Sequence, residues 1–195
     1  MKTFPVVGLR RRARPPHYSR LVRVLLIAAL LVAASRAHAQ TESGFNERVE
    51  ARVLSLVNEL RVERGLKPLE RERRLDAAAE NFGGYMASSG RLEHDADGRT
   101  PAARVKQRGY AYCVISENIA YEYSTRGFTA ERLARGFVDG WRDSPTHRDN
   151  ILDPEVTQTG LGIARSDRGE YYAAQLFARP VVEGAKRGAA CRRAR

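Results

Sequence analysis

The sequence predicts an α+β domain, in which helices come first along the chain and strands come last. Apolar residues recur three and four positions apart from residue 45 to residue 141, which is the spacing of amphipathic helices. Residues 158–165 and 170–179 then form two short runs separated by SDRG, which is typical of a β-hairpin with glycine in its turn. Residues 40–195 can bury one hydrophobic core, so we expect a single domain.

Two amphipathic helices are predicted at the start of this domain. The first covers residues 46–63 and ends at Gly65, and the second starts after Pro68 and ends at Gly90. Each has one apolar face, which we assign to the core. The apolar residues are Phe45, Val49, Val53, Leu56, Val57 and Leu60 in the first helix and Leu75, Ala78, Ala79, Phe82 and Met86 in the second.

Three shorter helical segments follow. Thr100 in front of Pro101 is an N-cap followed by proline at the first helical position, which favours a short helix to about residue 107. The helical period then continues up to Trp141 and predicts a longer helix. Ser144 and Pro145 repeat the cap-and-proline pattern, which predicts one further helical turn.

Residues 1–39 have the composition of an export signal. They begin with basic residues and contain no acid, continue with an apolar run at residues 24–34, and end in AHA, a signal-peptidase pattern. The apolar run is too short for a bilayer core, which needs roughly 20 residues. We expect cleavage after Ala39 and a periplasmic or extracellular mature protein that does not span the membrane. An uncleaved anchor is the alternative.

The high net charge of the chain comes from its two ends. The whole chain carries +11, but residues 1–39 and 183–195 hold the basic excess and residues 40–182 are close to neutral. A strongly basic composition is typical of proteins that bind nucleic acid. Here, however, the excess of basic residues lies in a predicted leader and a short tail. We therefore expect no nucleic-acid partner. We also expect the protein to be a monomer. Residues 183–195 are either a contact to anionic lipid or cell-envelope polymer, or a tail without a role.

Cys113 and Cys191 are the two cysteines of the chain. An even number of cysteines in an exported protein predicts one disulfide bond. Two free thiols are the alternative, because Cys191 lies near the end of the chain, where termini often fray.

His94 and His147 are the two histidines outside the predicted leader. Glu117 lies between apolar neighbours in SENIA, so we expect it to be partly buried and to need a partner. Two imidazoles and a carboxylate can bind zinc and leave a position open for water, a geometry compatible with hydrolysis. The alternative is a polar network in which Glu117 accepts hydrogen bonds from His94 or from backbone N–H groups.

Five segments taken together resemble the CAP superfamily, also described as cysteine-rich secretory, antigen 5, pathogenesis-related or SCP-like extracellular proteins, and most closely its bacterial branch. In order they are LVNELR at 56–61, LEH at 92–94, SENIA at 116–120, GWRDSPTHRDNIL at 140–152 and TGLGIA at 159–164. The resemblance covers about residues 48–180 and assigns residues 40–182 to a CAP-like domain. It implies an α-β-α sandwich, with helices on both sides of a small antiparallel sheet and a central cleft.

The resemblance also implies a site in that cleft. Many members hold two histidines and two glutamates there, and some bind zinc or another divalent ion. His94 matches the first histidine and Glu117 the first glutamate, but Ser144 stands at the second glutamate and Glu155 near the second histidine. His147 is the histidine typical of the bacterial pattern, and we expect it to face the same cleft.

We therefore predict that His94, Glu117 and His147 are the metal ligands and the candidates for any catalytic role. Zinc or another divalent cation is the candidate metal, and no cofactor is required. The residues predicted to support the cleft are Asn118, Trp141, Ser144, Arg148 and Asn150.

Three classes of function fit these features. We favour a binding module that takes a small lipid or another small molecule, since aromatic groups around Cys113 suit the lip of a cleft, although they also suit ordinary packing. A metal-dependent hydrolase, such as a peptidase, is the second class, and no serine lies in a Gly-x-Ser-x-Gly turn. An envelope-associated protein is the third. The aromatic residues are Tyr110, Tyr112, Tyr121, Tyr123 and Phe128.

Overall fold

The computed structural model describes residues 20–181 and Cys191. This part of the chain contains five helices and four strands. In order they are α1 (Arg20–Glu63), β1 (Glu70–Arg71), α2 (Arg73–Ser89), α3 (Pro101–Gln107), β2 (Tyr112–Glu122), α4 (Ala130–Asp143), α5 (Pro145–Leu152), β3 (Gln158–Arg165) and β4 (Tyr171–Pro180).

Helix α1 begins much earlier than the sequence predicted. The expected start near residue 46 is wrong, because the helix is continuous from Arg20 to Glu63. No proline interrupts the chain there, and Gly44 is the one glycine in that stretch, so nothing local ends the helix. A boundary between two compact units falls inside α1, after Thr41. Of the helices in the described residues, none is both long and apolar enough to cross a bilayer.

Two other helix ends follow the predicted signals. Gly90 ends α2 with a left-handed backbone conformation, at a φ of 69°. The Thr100 hydroxyl accepts a hydrogen bond from the Ala103 N–H and caps α3, which starts at Pro101. The predicted hairpin is also confirmed as β3 and β4, with Gly169 in its turn.

The four strands form one sheet in the order β1-β3-β4-β2. Strand β4 pairs antiparallel with both β2 and β3, as the resemblance implied. Strand β1 adds a two-residue parallel pair with β3, which the pattern of the sequence did not predict. Strand β2, which carries Glu117, lies at one edge of the sheet.

Helices cover both faces of the sheet, which confirms the α-β-α sandwich. Side chains of β4 alternate between two cores, so that Leu176 packs with α2 and α3 while Phe177 packs with α1, α4 and α5. The first core includes Leu75, Phe82, Met86 and Val105, and the second includes Val49, Val53, Phe137, Trp141 and Ile151.

Helix α2 rests directly on the backbone of β3. A Cβ atom at Gly160 would overlap the main chain at Leu75, and one at Gly162 would overlap the main chain at Ala79. Two glycines on the same face of β3 therefore let the helix approach more closely than any side chain would allow.

The free edge of β3 is covered by carboxylates. The Leu161 N–H donates to Asp76 Oδ1 at 3.0 Å, and the Ile163 N–H donates to Glu50 Oε1 at 3.2 Å. Arg71 joins the two acids, with its Nη2 2.5 Å from Glu50 Oε2 and its Nε 2.9 Å from Asp76 Oδ2. These contacts satisfy edge N–H groups that would otherwise be open to another strand.

The predicted disulfide bond is confirmed. Cys113 and Cys191 are bonded across a sequence separation of 78 residues, with a Cα–Cα distance of 5.2 Å. The bond joins the start of β2 to the end of the chain.

We predict that Gly162→Ala lowers the free energy of unfolding by about 3 kcal/mol, because the added methyl group must push α2 away from β3. Urea unfolding measures the change. Gly84→Ala is the control: Gly84 lies in α2 with open space around its Cβ position, and alanine there should add about 0.5–1 kcal/mol. Two equal effects would contradict the close contact.

Candidate functional site at the edge of strand β2

His94 and Glu117 form a hydrogen-bonded pair beside β2. His94 Nδ1 lies 2.8 Å from Glu117 Oε1. The carboxylate is almost fully buried, with 1% of its side chain exposed, whereas 51% of the His94 side chain is exposed. His94 lies in the loop between α2 and α3, which begins at Gly90. Arg91 Nη1 donates to the Ala96 carbonyl at 2.9 Å across this loop. The pair thus places one imidazole on the surface and anchors it to the interior.

Arg104 holds the other side of the Glu117 carboxylate. Its Nη2 donates to Glu117 Oε2 at 2.7 Å and to the His94 carbonyl at 3.0 Å. Its Nη1 donates to Asp97 Oδ1 at 2.9 Å, and its guanidinium carbon lies 3.5 Å from the centre of the Phe82 ring. Only 3% of the Arg104 side chain is exposed. This cation neutralises Glu117 inside the protein and fixes the carboxylate in place.

The sequence reasoning missed Arg104. One signal could have found it: Arg104 lies beside the apolar residue Val105 in the predicted helix after Thr100. An arginine that is buried beside such a neighbour needs hydrogen-bond partners inside the domain.

This arrangement determines which atom of His94 can meet a ligand. An ionised carboxylate only accepts hydrogen bonds, so Nδ1 carries the proton that it donates to Glu117. In the neutral ring, Nε2 then has a free lone pair. Glu117 itself uses one oxygen for His94 and the other for Arg104, so it orients the ring rather than offering an open oxygen.

His147 lies on α5, which packs on the opposite side of β2 from α3. Its main-chain carbonyl accepts a hydrogen bond from Asn118 Nδ2 at 3.0 Å. Asn150 Nδ2 donates to Asn118 Oδ1 at 2.8 Å and to the Glu117 carbonyl at 3.3 Å. Burial lowers the pKa of His147, and the nearby charge of His94 lowers it further. His147 is tied through its main chain to the residue that follows Glu117.

Trp141 and Asn150 also cover the outer edge of β2. Trp141 Nε1 donates to the Ile119 carbonyl at 3.1 Å, and Asn150 Nδ2 donates to the Glu117 carbonyl. Side chains of α4 and α5 thereby occupy the positions that another strand would take. Asn118 lies in the strand that carries Glu117, and Trp141 and Asn150 contact that strand.

The remaining predicted residues make other contacts. Arg148 Nη1 donates to the Arg142 carbonyl at 3.2 Å, toward the end of α4. Ser144 is the N-cap residue of α5, but its hydroxyl makes no capping hydrogen bond. Glu155 pairs with Arg179 Nη2 at 3.1 Å. Among residues 20–181 and Cys191, no three His, Cys, Asp or Glu side chains form a group that could hold a metal ion.

Residues 54–177 match the model of the cysteine-rich secretory protein family, CAP. The chain belongs to the CAP family. The Bacillus subtilis (strain 168) protein YkwD is 30% identical over 118 residues, which are 60% of this chain and 43% of YkwD. The CAP chain thus matches less than half the length of that relative.

Solved structures show the same CAP fold. An extracellular SCP-domain protein from Bacillus anthracis has a TM-score of 0.59 at 22% identity, over 72% of this chain and 43% of its own. An outer surface protein from Borrelia burgdorferi has a TM-score of 0.57 at 20% identity, over 65% of this chain and 89% of its own.

We predict that Arg104→Gln destabilises this CAP domain by about 3–5 kcal/mol, because it leaves the Glu117 carboxylate buried without a cation. Urea unfolding measures the loss. Arg99→Gln is the matched control: Arg99 pairs with Asp97 but is 45% exposed, so its loss should cost at most about 1 kcal/mol. Equal losses in the two variants would contradict the role of Arg104.

We predict that His147 titrates below the ordinary histidine value of 6.5 and that His94→Asn raises the pKa of His147. The substitution removes the charge of His94 and leaves the burial of His147 in place, so recovery should be partial. Proton NMR of the imidazole signals across pH measures both values. An unchanged pKa of His147 would show that the two rings do not share a cleft.

Proposed function

We propose that this protein is an exported CAP-domain binding module whose ligand contacts His94 and His147 at the edge of β2. The observation that carries the proposal is the 2.8 Å contact between His94 Nδ1 and Glu117 Oε1. Arg104 Nη2 donates to the other oxygen of this carboxylate at 2.7 Å and holds it in place. A ring held in this way presents Nε2 toward solvent in a fixed direction. Fixed orientation lowers the entropy that a ligand loses on binding.

Export is supported by three independent features. Residues 1–39 have the composition of a signal peptide, and the boundary of the compact units after Thr41 lies two residues from the end of that segment. The disulfide bond suits an oxidising compartment. The structural relatives include an extracellular protein and an outer surface protein. Both the periplasm and the medium fit this proposal.

Binding is favoured over catalysis by the neighbours of the two rings. Nucleophilic catalysis requires a hydroxyl or thiol within hydrogen-bond reach of the base. In the described part of the chain, no Ser, Thr or Cys side chain is hydrogen-bonded to His94 or His147. A metal-dependent hydrolase is the alternative class, and it would need loss of activity in His94→Ala.

A divalent cation is the first ligand to test. Glu117 does not fit the role of a third ligand because both of its oxygens are engaged, so a cation would rely on the two imidazoles. Glu117 would then act as the carboxylate that orients a metal-binding histidine. The solved structure of NaASP2 with Zn2+ concerns that protein alone, which is 13% identical to this chain with a TM-score of 0.50.

A small apolar ligand or lipid is the second candidate. Tyr121 and Tyr123 follow Glu117 on or just after β2, and 53% and 55% of their surfaces are exposed. Exposed tyrosines combine an apolar ring with a polar tip and suit the rim of such a site. Contact of the tail, residues 183–195, with a cell-envelope polymer is the third candidate, and that tail lies outside the described residues except for Cys191.

We predict that zinc affinity near neutral pH depends on both imidazoles, so that His94→Ala and His147→Ala each weaken it at least about 10-fold, because each removes one of two imidazole ligands. Isothermal titration calorimetry of the metal-free protein measures the affinity. Glu155→Gln, near the position that the family pattern gives to a histidine, should leave the zinc affinity unchanged. Zinc affinity that survives both histidine substitutions would place the ion elsewhere, and no binding would rule out this ligand.

A further inference from the structure

A second candidate site lies where α1, α4 and α5 meet, and it includes neither His94 nor His147. It is a small notch with an apolar floor and a rim of arginines. The residues that line it are Leu60, Arg64, Arg142, Arg148, Ile151 and Leu152. We refer to this cavity as the arginine notch.

A buried positive charge lies directly behind the floor of the notch. Arg61 follows Leu60 on α1, and only 2% of its surface is exposed. Its Nη1 donates to the Ile151 carbonyl at 2.6 Å and to the Asp153 carbonyl at 3.0 Å, and its other nitrogens donate to further main-chain carbonyls. Burial lowers the pKa of Arg61, and the Asp153 charge opposes that effect. Among the described residues no carboxylate is hydrogen-bonded to this guanidinium.

The rim adds two guanidinium groups that lack an acidic partner. Arg148 donates to a main-chain carbonyl, that of Arg142. Arg64 makes no side-chain hydrogen bond or ion pair within residues 20–181 and Cys191. Arg142 differs from both, because Asp139 and Asp143 already neutralise it at 2.8 and 3.2 Å. Two guanidinium groups without an acidic partner among the described residues therefore line the notch beside its apolar floor.

The size of the notch limits the apolar part of its ligand. Its volume is about 30 Å³, which is room for roughly two or three groups the size of a methyl or a water. A long acyl chain does not fit in that space, whereas the two terminal methyl groups of a branched side chain do. The planar, forked donors of arginine suit a carboxylate next to that group.

We propose that the arginine notch binds a carboxylate carried on a small branched aliphatic group, with the aliphatic group on Leu60, Ile151 and Leu152 and the carboxylate between Arg64 and Arg148. The C-terminal leucine or valine of a peptide and a free branched short-chain acid both have this chemistry. The inference is independent of the proposed function, because the two sites share no residue.

NMR titration of the protein with N-acetyl-L-leucine tests this site. We expect the methyl signals of Leu60, Ile151 and Leu152 to shift, and Arg148→Gln and Arg64→Gln each to weaken binding about 3- to 10-fold. The matched control is Arg135→Gln, which removes an exposed arginine of α4 that pairs with Glu131 and lies outside the notch. It should leave the affinity unchanged.

Three further compounds separate the parts of the ligand. N-acetyl-L-leucinamide lacks the charge and N-acetylglycine lacks the branched group, and we expect both to bind at least about 10-fold more weakly than N-acetyl-L-leucine. Comparable binding of isovalerate would identify free acids as ligands, whereas stronger binding of the acetylated amino acid would favour a peptide end. Equal binding of acid and amide, equal effects of Arg135→Gln and Arg148→Gln, or unchanged methyl signals would overturn the proposal.

Discussion

The close contact between α2 and β3 is the packing constraint on which the rest of the domain depends. Gly160 and Gly162 allow the main chain of α2 to lie against the strand, and this contact fixes the position of α2 on the sheet. Gly90 then turns the chain toward β2, so that the next loop carries His94 to Glu117. A helix held farther from the sheet would carry that loop away from its carboxylate.

The edges of the sheet explain why polar chemistry gathers there. An edge strand has backbone groups without a partner strand, and this protein satisfies them with side chains. Glu50 and Asp76 accept from the N–H groups of β3, whereas Trp141 and Asn150 donate to carbonyls of β2. The side chains that cover β2 come from α4 and α5, whereas His94 reaches Glu117 from the loop between α2 and α3. The candidate site is therefore the place where the two layers meet.

Two buried arginines are used in opposite ways. Arg104 is neutralised by Glu117 and Asp97, so the surface above it presents imidazole groups rather than net charge. Arg61 is satisfied by main-chain carbonyls, so its charge is not cancelled by a hydrogen-bonded acid. A buried charge in a medium of low dielectric acts over a longer distance than one in water. The surface above the neutralised Arg104 therefore suits an uncharged hydrogen-bond donor or a cation as ligand. The surface near Arg61 suits an anion.

By itself the sequence determined the features that depend on neighbouring residues. Helix ends at Gly65 and Gly90, the cap at Thr100 and the β3–β4 hairpin follow from local backbone preferences, and a set of ordered motifs identified the family. Tertiary structure alone decided the partners of β1, the roles of Arg61 and Arg104, and the engagement of both oxygens of Glu117. These features depend on groups up to 95 positions apart, as between Arg61 and Val156, and such contacts arise from packing rather than from any local pattern.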